Sequence, residues 1–367
     1  MTEEEQRMQT AIPCALMRGG SSKGLYFLRD DLPADPSVRD AVLVAAMGAD
    51  DRQIDAVGGA HPLTSKVAIV SRSQERDVDI DYLFAQVVVG QGRVDTTPNC
   101  GNMLAGVAPF AIETGLLSAS EAQTRVRVRM VNSDNLCELV VQTPGGRVAY
   151  AGDTAISGVP GTAAPIVCNY LDVAGSATGA LLPSGQIKDV VDGVEVTCID
   201  NGMPVVVIRA HDLGISGYET REELDADERL KQRLESIRLQ VGPMMNLGDV
   251  TSKVVPKMSL ISAPRAGGHI NTRTFIPHDC HAAIGVLGAV SVATACIWPG
   301  SVADGIAVVP PGATKQLSVE HPTGEFSVTL EVGGTPDAPV IDKAGLVRTA
   351  RMIMRGEVYV PATLWQP

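Results

Sequence analysis

Two stretches of small apolar residues, each entered through a polar turn that carries a cysteine, limit the fold of this chain more than any other feature. The first turn is Thr97-Pro98-Asn99-Cys100-Gly101-Asn102, and it runs into Met103-Leu104-Ala105-Gly106-Val107-Ala108-Pro109-Phe110-Ala111-Ile112. The second is Pro277-His278-Asp279-Cys280-His281, which opens Ala282-Ala283-Ile284-Gly285-Val286-Leu287-Gly288-Ala289. A helix that is apolar on nearly every side must be buried all round, so each needs strands wrapped about it. The strands are legible. Residues 12–18 read as a strand ending in the small-residue turn Gly19-Gly20-Ser21-Ser22-Lys23-Gly24, and 25–28 as a second. Residues 64–70 form another, 78–89 two more, and 126–131 and 136–141 alternate cleanly as half-buried strands. Residues 35–47 look helical, and the helix after Cys100 should end near Gly115.

The second half repeats this order. Val205-Val206-Val207-Ile208-Arg209, followed by Asp212-Leu213, echoes Leu25-Tyr26-Phe27-Leu28-Arg29 followed by Asp31-Leu32. Thr251-Ser252-Lys253-Val254-Val255 echoes Thr64-Ser65-Lys66-Val67-Ala68. The period is far too long for a solenoid. It fits two similar α+β domains face to face, with a cleft between them. The Gly/Ser/Pro-rich segment 175–185 places the boundary, giving domains of 1–184 (joined by a C-terminal strand from within 350–367) and 185–349. Residues 221–239 read as a charged amphipathic helix, expected as a surface insertion in the second half.

Composition excludes several functions. With a formal net charge of −12 the chain is a poor partner for nucleic acid or an anionic membrane. It still suits a small anionic substrate if a local basic pocket offsets that charge. The N-terminal residues 1–7 are acidic and lack the apolar core of a leader. The longest apolar run, 282–299, is broken by Gly285 and Gly288, as in a buried helix rather than a membrane span. Seven cysteines with no CxxC make no disulfide framework, so the thiols are expected reduced and the protein cytoplasmic.

The residues suggest the reactive centre of an enzyme. A cysteine at a helix start feels unpaired N–H groups and the positive end of the helix dipole, which favour thiolate. Cys100 is therefore a reactive thiol, or else an inert buried one in a tight turn. Lys66 lies in the apolar strand Lys66-Val67-Ala68-Ile69-Val70. Pointing inward it would be desolvated and usable as a base; at an edge it would be a surface lysine. An enolate formed by such a base needs preorganised donors. The N–H groups of Gly101 and Asn102, the Asn102 amide, Ser21 and Ser22 are the candidates. Arg18, Lys23 and Arg273 would bind carboxylates, or stand as solvated charges. Lys253, the repeat partner of Lys66, is a substrate ligand or a relic of duplication. The cluster His278-Asp279-Cys280-His281 cannot converge on one ion, so no metal is expected and His278 or His281 reads as a pocket residue. No GxGxxG follows a strand and Gly19–Gly24 lacks P-loop spacing, so no nucleotide cofactor is expected.

Several motifs in fixed order resemble the methylaconitate isomerase and 4-oxalomesaconate isomerase (tautomerase) family. They are Met17-Arg18-Gly19-Gly20-Ser21-Ser22-Lys23-Gly24, Leu63-Thr64-Ser65-Lys66-Val67-Ala68, Asn99-Cys100-Gly101-Asn102, Gly242-Pro243-Met244-Met245-Asn246 and Ile276-Pro277-His278-Asp279-Cys280-His281. The resemblance spans nearly the whole chain. It implies the diaminopimelate epimerase fold: two pseudo-symmetric domains, each a curled, mostly antiparallel sheet around a central helix, with the active site in the cleft between them. It also implies cofactor-independent transfer of a proton between carbons next to carbonyl or carboxylate groups, on a small tricarboxylate. A homodimer is compatible with it. The catalytic pair it implies is Lys66 and Cys100, with Ser65 and Asn99 joining the substrate ligands already named. Two-thiol epimerases open their second central helix with a catalytic cysteine. Here that position falls on Ala282, with Cys280 two residues away, which disfavours symmetric two-thiol racemisation. The rival readings are methylaconitate or aconitate isomerisation, amino-acid epimerisation, and a silent carboxylic-acid-binding protein.

Overall fold

A computed structural model describes residues 8–171, 174–335 and 338–366; the acidic stretch 1–7, read above for a leader, lies outside them. The chain divides into two compact units, Met1–Cys168 with Val347–Pro367, and Asn169–Leu346. This division differs from the boundary expected at 184/185. The Gly/Ser-rich segment folds onto the second unit instead of linking the two. The Asp200 carboxylate accepts hydrogen bonds from the Ala177 and Thr178 N–H groups at 3.0 and 3.1 Å, and from the Thr178 hydroxyl at 2.9 Å.

In the first unit the elements are β1 (Gln9–Gly19), β2 (Ser22–Leu28), α1 (Pro36–Met47), β3 (Lys66–Arg72), β4 (Ile80–Val88), β5 (Arg93–Asp95), α2 (Gly101–Leu104), α3 (Val107–Glu113), β6 (Ala122–Met130), β7 (Asn135–Thr143) and β8 (Pro165–Leu171), within which the chain passes to the second unit. Neighbours β1/β2, β3/β4 and β6/β7 are antiparallel, while β2/β3 and β4/β6 are parallel. Parallel neighbours need a crossover. α1 fills the first, started by Asp35, whose side chain accepts from the N–H groups of Ser37 and Val38. α2 and α3 lie in the second. Strand alternation then sorts the side chains. Leu25, Phe27, Val67 and Ile69 pack with Val42, Leu43 and Met47 of α1. Tyr26, Lys66, Phe84 and Gln86 take the opposite face, where α2 and α3 pack on the strands.

The helix after Cys100 is broken rather than continuous to Gly115. Pro109 has no N–H to offer the Ala105 carbonyl. The chain tightens there, with bonds from Ala105 N–H to Asn102 O and from Gly106 N–H to Met103 O, before restarting as α3. The Tyr26 hydroxyl donates to the Met103 carbonyl at 2.6 Å. Residues 78–89 likewise give one strand, β4, with the short β5 after it.

The second unit contains β9 (Asp189–Val191), β10 (Val194–Asp200), β11 (Pro204–Arg209), α4 (Arg221–Ala226), α5 (Glu228–Met244), β12 (Lys257–Ser262), β13 (Ile270–Phe275), α6 (Val286–Cys296), β14 (Thr314–His321), β15 (Gly324–Thr335) and the start of β16 (Ala338–Pro361). From β10 to β15 the pairings repeat those of the first unit: antiparallel, parallel, antiparallel, parallel, antiparallel. β16 pairs antiparallel with β15 through Leu346 and with β1 from Ala350 to Pro361, so it contributes to each unit.

The repeat corrects two expectations. Residues 221–239 are not a surface insertion. They belong to α4 and α5, which fill the β11/β12 crossover as α1 fills β2/β3, and bury Leu224, Leu230, Leu234, Ile237 and Val241 against Met258, Leu260 and Phe275. Thr251-Ser252-Lys253 is a turn, not the counterpart of the strand at Lys66. The strand begins at Lys257, and the Lys253 ammonium donates to the Leu247 carbonyl at 2.6 Å. The second central helix also starts late, at Val286 after the extended Gly285. Residues 276–281 are used in a tight return, with Ile276 N–H bonded to Asp279 O and His281 N–H to Thr274 O.

Candidate active site

In the first unit a row of side-chain positions crosses the face that carries α2 and α3. Register pairs Met17 with Gly24, Gly24 with Lys66, and Lys66 with Gln86. Lys66, the first residue of β3, is 8% exposed. Its ammonium donates to Gln86 Oε1 at 2.7 Å and lies 4.9 Å from the centroid of the Phe84 ring. Gln86 is fixed by its own amide nitrogen, which donates to the backbone carbonyl of Ser65 at 2.7 Å and reaches those of Pro62 and Val87. Gly24 is required beside Lys66, because a Cβ there would stand 1.9 Å from the Lys66 carbonyl oxygen.

Cys100 caps α2 with extended backbone and is 8% exposed. The Tyr82 hydroxyl donates to its carbonyl at 3.1 Å. Asn132 pins the chain leading to it: the Asn132 amide nitrogen donates to the carbonyls of Phe84 at 2.8 Å and Thr96 at 2.6 Å, and its oxygen accepts from the Phe84 N–H. As the first residues of a helix, Gly101 and Asn102 present N–H groups with no intrahelical acceptor.

The glycine turn packs directly on α2. Asn102 accepts from the Ser21 N–H at 3.4 Å and donates to the Ser21 hydroxyl at 3.2 Å. Gly20 adopts φ +52°, and a Cβ there would meet Asn102 Oδ1 at 2.2 Å, so only glycine serves. Arg18 ties the turn to β16, donating to the carbonyls of Gly20 at 2.8 Å and Thr349 at 3.0 Å and to the Thr349 hydroxyl at 2.9 Å. Burial, and then the neighbouring charge of Arg351, lower its pKa. Ser22 is 1% exposed, and its hydroxyl has no hydrogen-bond partner among the described residues. A buried polar group of this kind is a donor in want of an acceptor.

Lys66, Cys100, Ser21, Ser22, Gly101, Asn102 and Arg18 thus belong to one corner of the first unit. The other sequence candidates have different surroundings. Lys23, the cross-strand partner of Arg18, alternates onto the face of Leu25 and Phe27. Ser65 is fully buried, donating to the Val87 carbonyl at 2.8 Å and accepting from the Gln53 amide at 2.7 Å. Asn99 is exposed and bonded to the Ser133 hydroxyl. In the second unit, Arg273 spends its guanidinium on Glu219 O, Asn271 Oδ1 and Thr272 O, and burial lowers its pKa. His278 is exposed beside Glu235, 3.7 Å away. Cys280 faces the α4/α5 core, where burial, reinforced by Asp225, pushes its thiol up to about 11. Gln86 and Asn132 were missed. A glutamine in a strand and an asparagine in a turn carry no sequence signal until the register is known. Among the described residues no group of three or more His, Cys, Asp or Glu is placed to hold a metal ion.

An amine and a thiol lie on one side of one sheet, with the unpaired Ser22 hydroxyl among the residues around them. The enzyme is an isomerase with an α+β, epimerase-like fold. The chain belongs to the PrpF protein family, whose model matches residues 9–361. It is 60% identical over 358 residues to a 4-oxalomesaconate tautomerase of Pseudomonas putida, covering 97% of this chain and 98% of that one. It is 59% identical over 361 residues to a (4E)-oxalomesaconate Delta-isomerase of Novosphingobium sp., covering 98% and 100%. Among solved structures, that of a methylitaconate-delta-isomerase superposes with a TM-score of 0.86 at 32% identity, covering 98% of both chains. No helix of the described residues is long and apolar enough to cross a membrane.

Proposed function

We propose that the protein isomerises 4-oxalomesaconate, a small unsaturated oxo-tricarboxylate, in the degradation of aromatic compounds, and that it does so without a cofactor. The observation that carries this reading is the amine of Lys66, held by Gln86, on the same side of the sheet as the thiol that opens α2, in a chain about three-fifths identical to enzymes named for that acid. The reaction is a 1,3-proton shift. Lys66 takes a proton from the carbon that becomes part of the new double bond. The electron pair delocalises into a dienolate. The Ser22 hydroxyl, the Asn102 amide and the N–H groups of Gly101 and Asn102 are the donors available to that charge. Cys100 gives its proton to the far carbon, and the ammonium of Lys66 returns one to the thiolate. Protons and electrons balance with nothing consumed.

Proton NMR in deuterated water tests this reading, with 4-oxalomesaconate, methylaconitate and aconitate offered in turn. Exchange of 4-oxalomesaconate protons for deuterium at both ends of the allylic system is the expected result. Rapid conversion of another acid while this one stays inert would replace the substrate. Lys66→Met should lower kcat by at least about a thousandfold with unchanged circular dichroism. Normal turnover in that variant would remove Lys66 from the mechanism.

A further inference from the structure

The second unit contains a true counterpart of Lys66. Lys66 is the first residue of β3, which runs parallel to β2 and antiparallel to β4; Lys257 is the first residue of β12, parallel to β11 and antiparallel to β13. The faces correspond as well. Met258 and Leu260 point to the α4/α5 core, so by alternation Lys257 starts from the opposite face of the sheet, on which α6 packs against β10 and β11. Lys257 is half-buried, and among the described residues its ammonium has neither a carboxylate partner nor a hydrogen bond. Arg238, the cation whose charge reaches it, is already bonded to Glu235.

His281 completes the arrangement. Its N–H is bonded to the carbonyl of Thr274, and Thr274 is paired with Ser259, two residues along β12 from Lys257. Cys280 turns into the α4/α5 core, and the ring of His281 lies within reach of the charge of Lys257. The ring's Nδ1 accepts from the Ala283 N–H at 2.8 Å. That contact makes Nε2 the protonated nitrogen of the neutral ring, a donor. Burial holds His281 toward this neutral form, helped by the charges of Lys257 and Arg221. Burial, and then the charge of Arg238, likewise lower the pKa of Lys257. A half-buried ammonium beside another cation is costly until an anion joins it.

We propose that Lys257 Nζ and His281 Nε2 form a carboxylate-binding subsite in the second unit, filled by one carboxylate of a di- or tricarboxylic acid. The choice of acid rests on the isomerase reading; the subsite does not. The test uses the full chain and tricarballylate, a saturated tricarboxylate that cannot isomerise. In calorimetric titrations Lys257→Met should weaken binding at least about tenfold, and Lys257→Arg should restore it to within about threefold. In the unaltered protein the imidazole resonances of His281, assigned by their loss in His281→Gln, should shift as tricarballylate is added. Binding by Lys257→Met equal to that of the unaltered protein, or His281 resonances that stay still at saturation, would overturn the subsite. The resonance measurement stands even if Lys257→Met does not fold. Tricarballylate binding that depends on Lys257, in a protein that isomerises none of the acids, would sink the function proposed above and leave the subsite intact.

Discussion

Replacing Gln86 with Leu removes the acceptor of the Lys66 ammonium without touching either proposed proton carrier. A lysine on a flexible four-carbon stem then loses its fixed direction. The expected result is a fall in kcat of about ten- to a hundredfold with a smaller change in KM, read from steady-state kinetics. Ser22→Ala separates stability from turnover more sharply. The hydroxyl is buried and unpaired among the described residues, so its removal should leave the melting temperature unchanged or higher, while kcat/KM falls. A lower melting temperature together with full activity would show that Ser22 serves the fold. At this scale the sequence was most informative where chemistry and local geometry coincide. Cys100 at a helix start and the Gly-Gly-Ser-Ser turn could be read directly. The faces that Lys23 and Ser65 take could not, because a one-residue offset in a strand decides which face a side chain takes.

Between residues and domains, helix caps and crossovers set where elements start and how strands can neighbour one another. Asp227 separates α4 from α5 and accepts from the Leu230 N–H at 2.9 Å. Asp227→Ala should therefore cost about 1 kcal/mol, measured by urea unfolding. The alternation and glycine signals made most strands legible, and the central helices were legible from their small apolar residues. What stayed hidden was equivalence between the halves. The Thr-Ser-Lys at 251–253 copies the residues around Lys66 but sits in a turn, while Lys257 occupies the structural position without the motif. The amphipathic stretch 221–239 was read as an insertion because its charges dominate the pattern. Its role as a crossover follows only once β11 and β12 are known to be parallel neighbours.

For the whole molecule, buried thiols set a pH limit. Burial raises Cys14 and Cys280 to about 11, and Cys168, Cys198 and Cys296 to about 12, from 9.0. Above pH 9 the unfolded chain gives up these protons while the folded one keeps them. The unfolded state then binds fewer protons, so stability must fall as pH rises. The melting temperature should decline from pH 9 toward pH 11, and Cys14→Ala with Cys280→Ala should flatten that decline. β16 also constrains the order in which the units can be completed. The whole length of β1 is paired with residues 350–361 of that strand. During synthesis, therefore, the N-terminal unit stays incomplete on the ribosome while all of the other unit emerges. The usual order of domain maturation is reversed, and a nascent chain halted before residue 347 should expose β1 to chaperones.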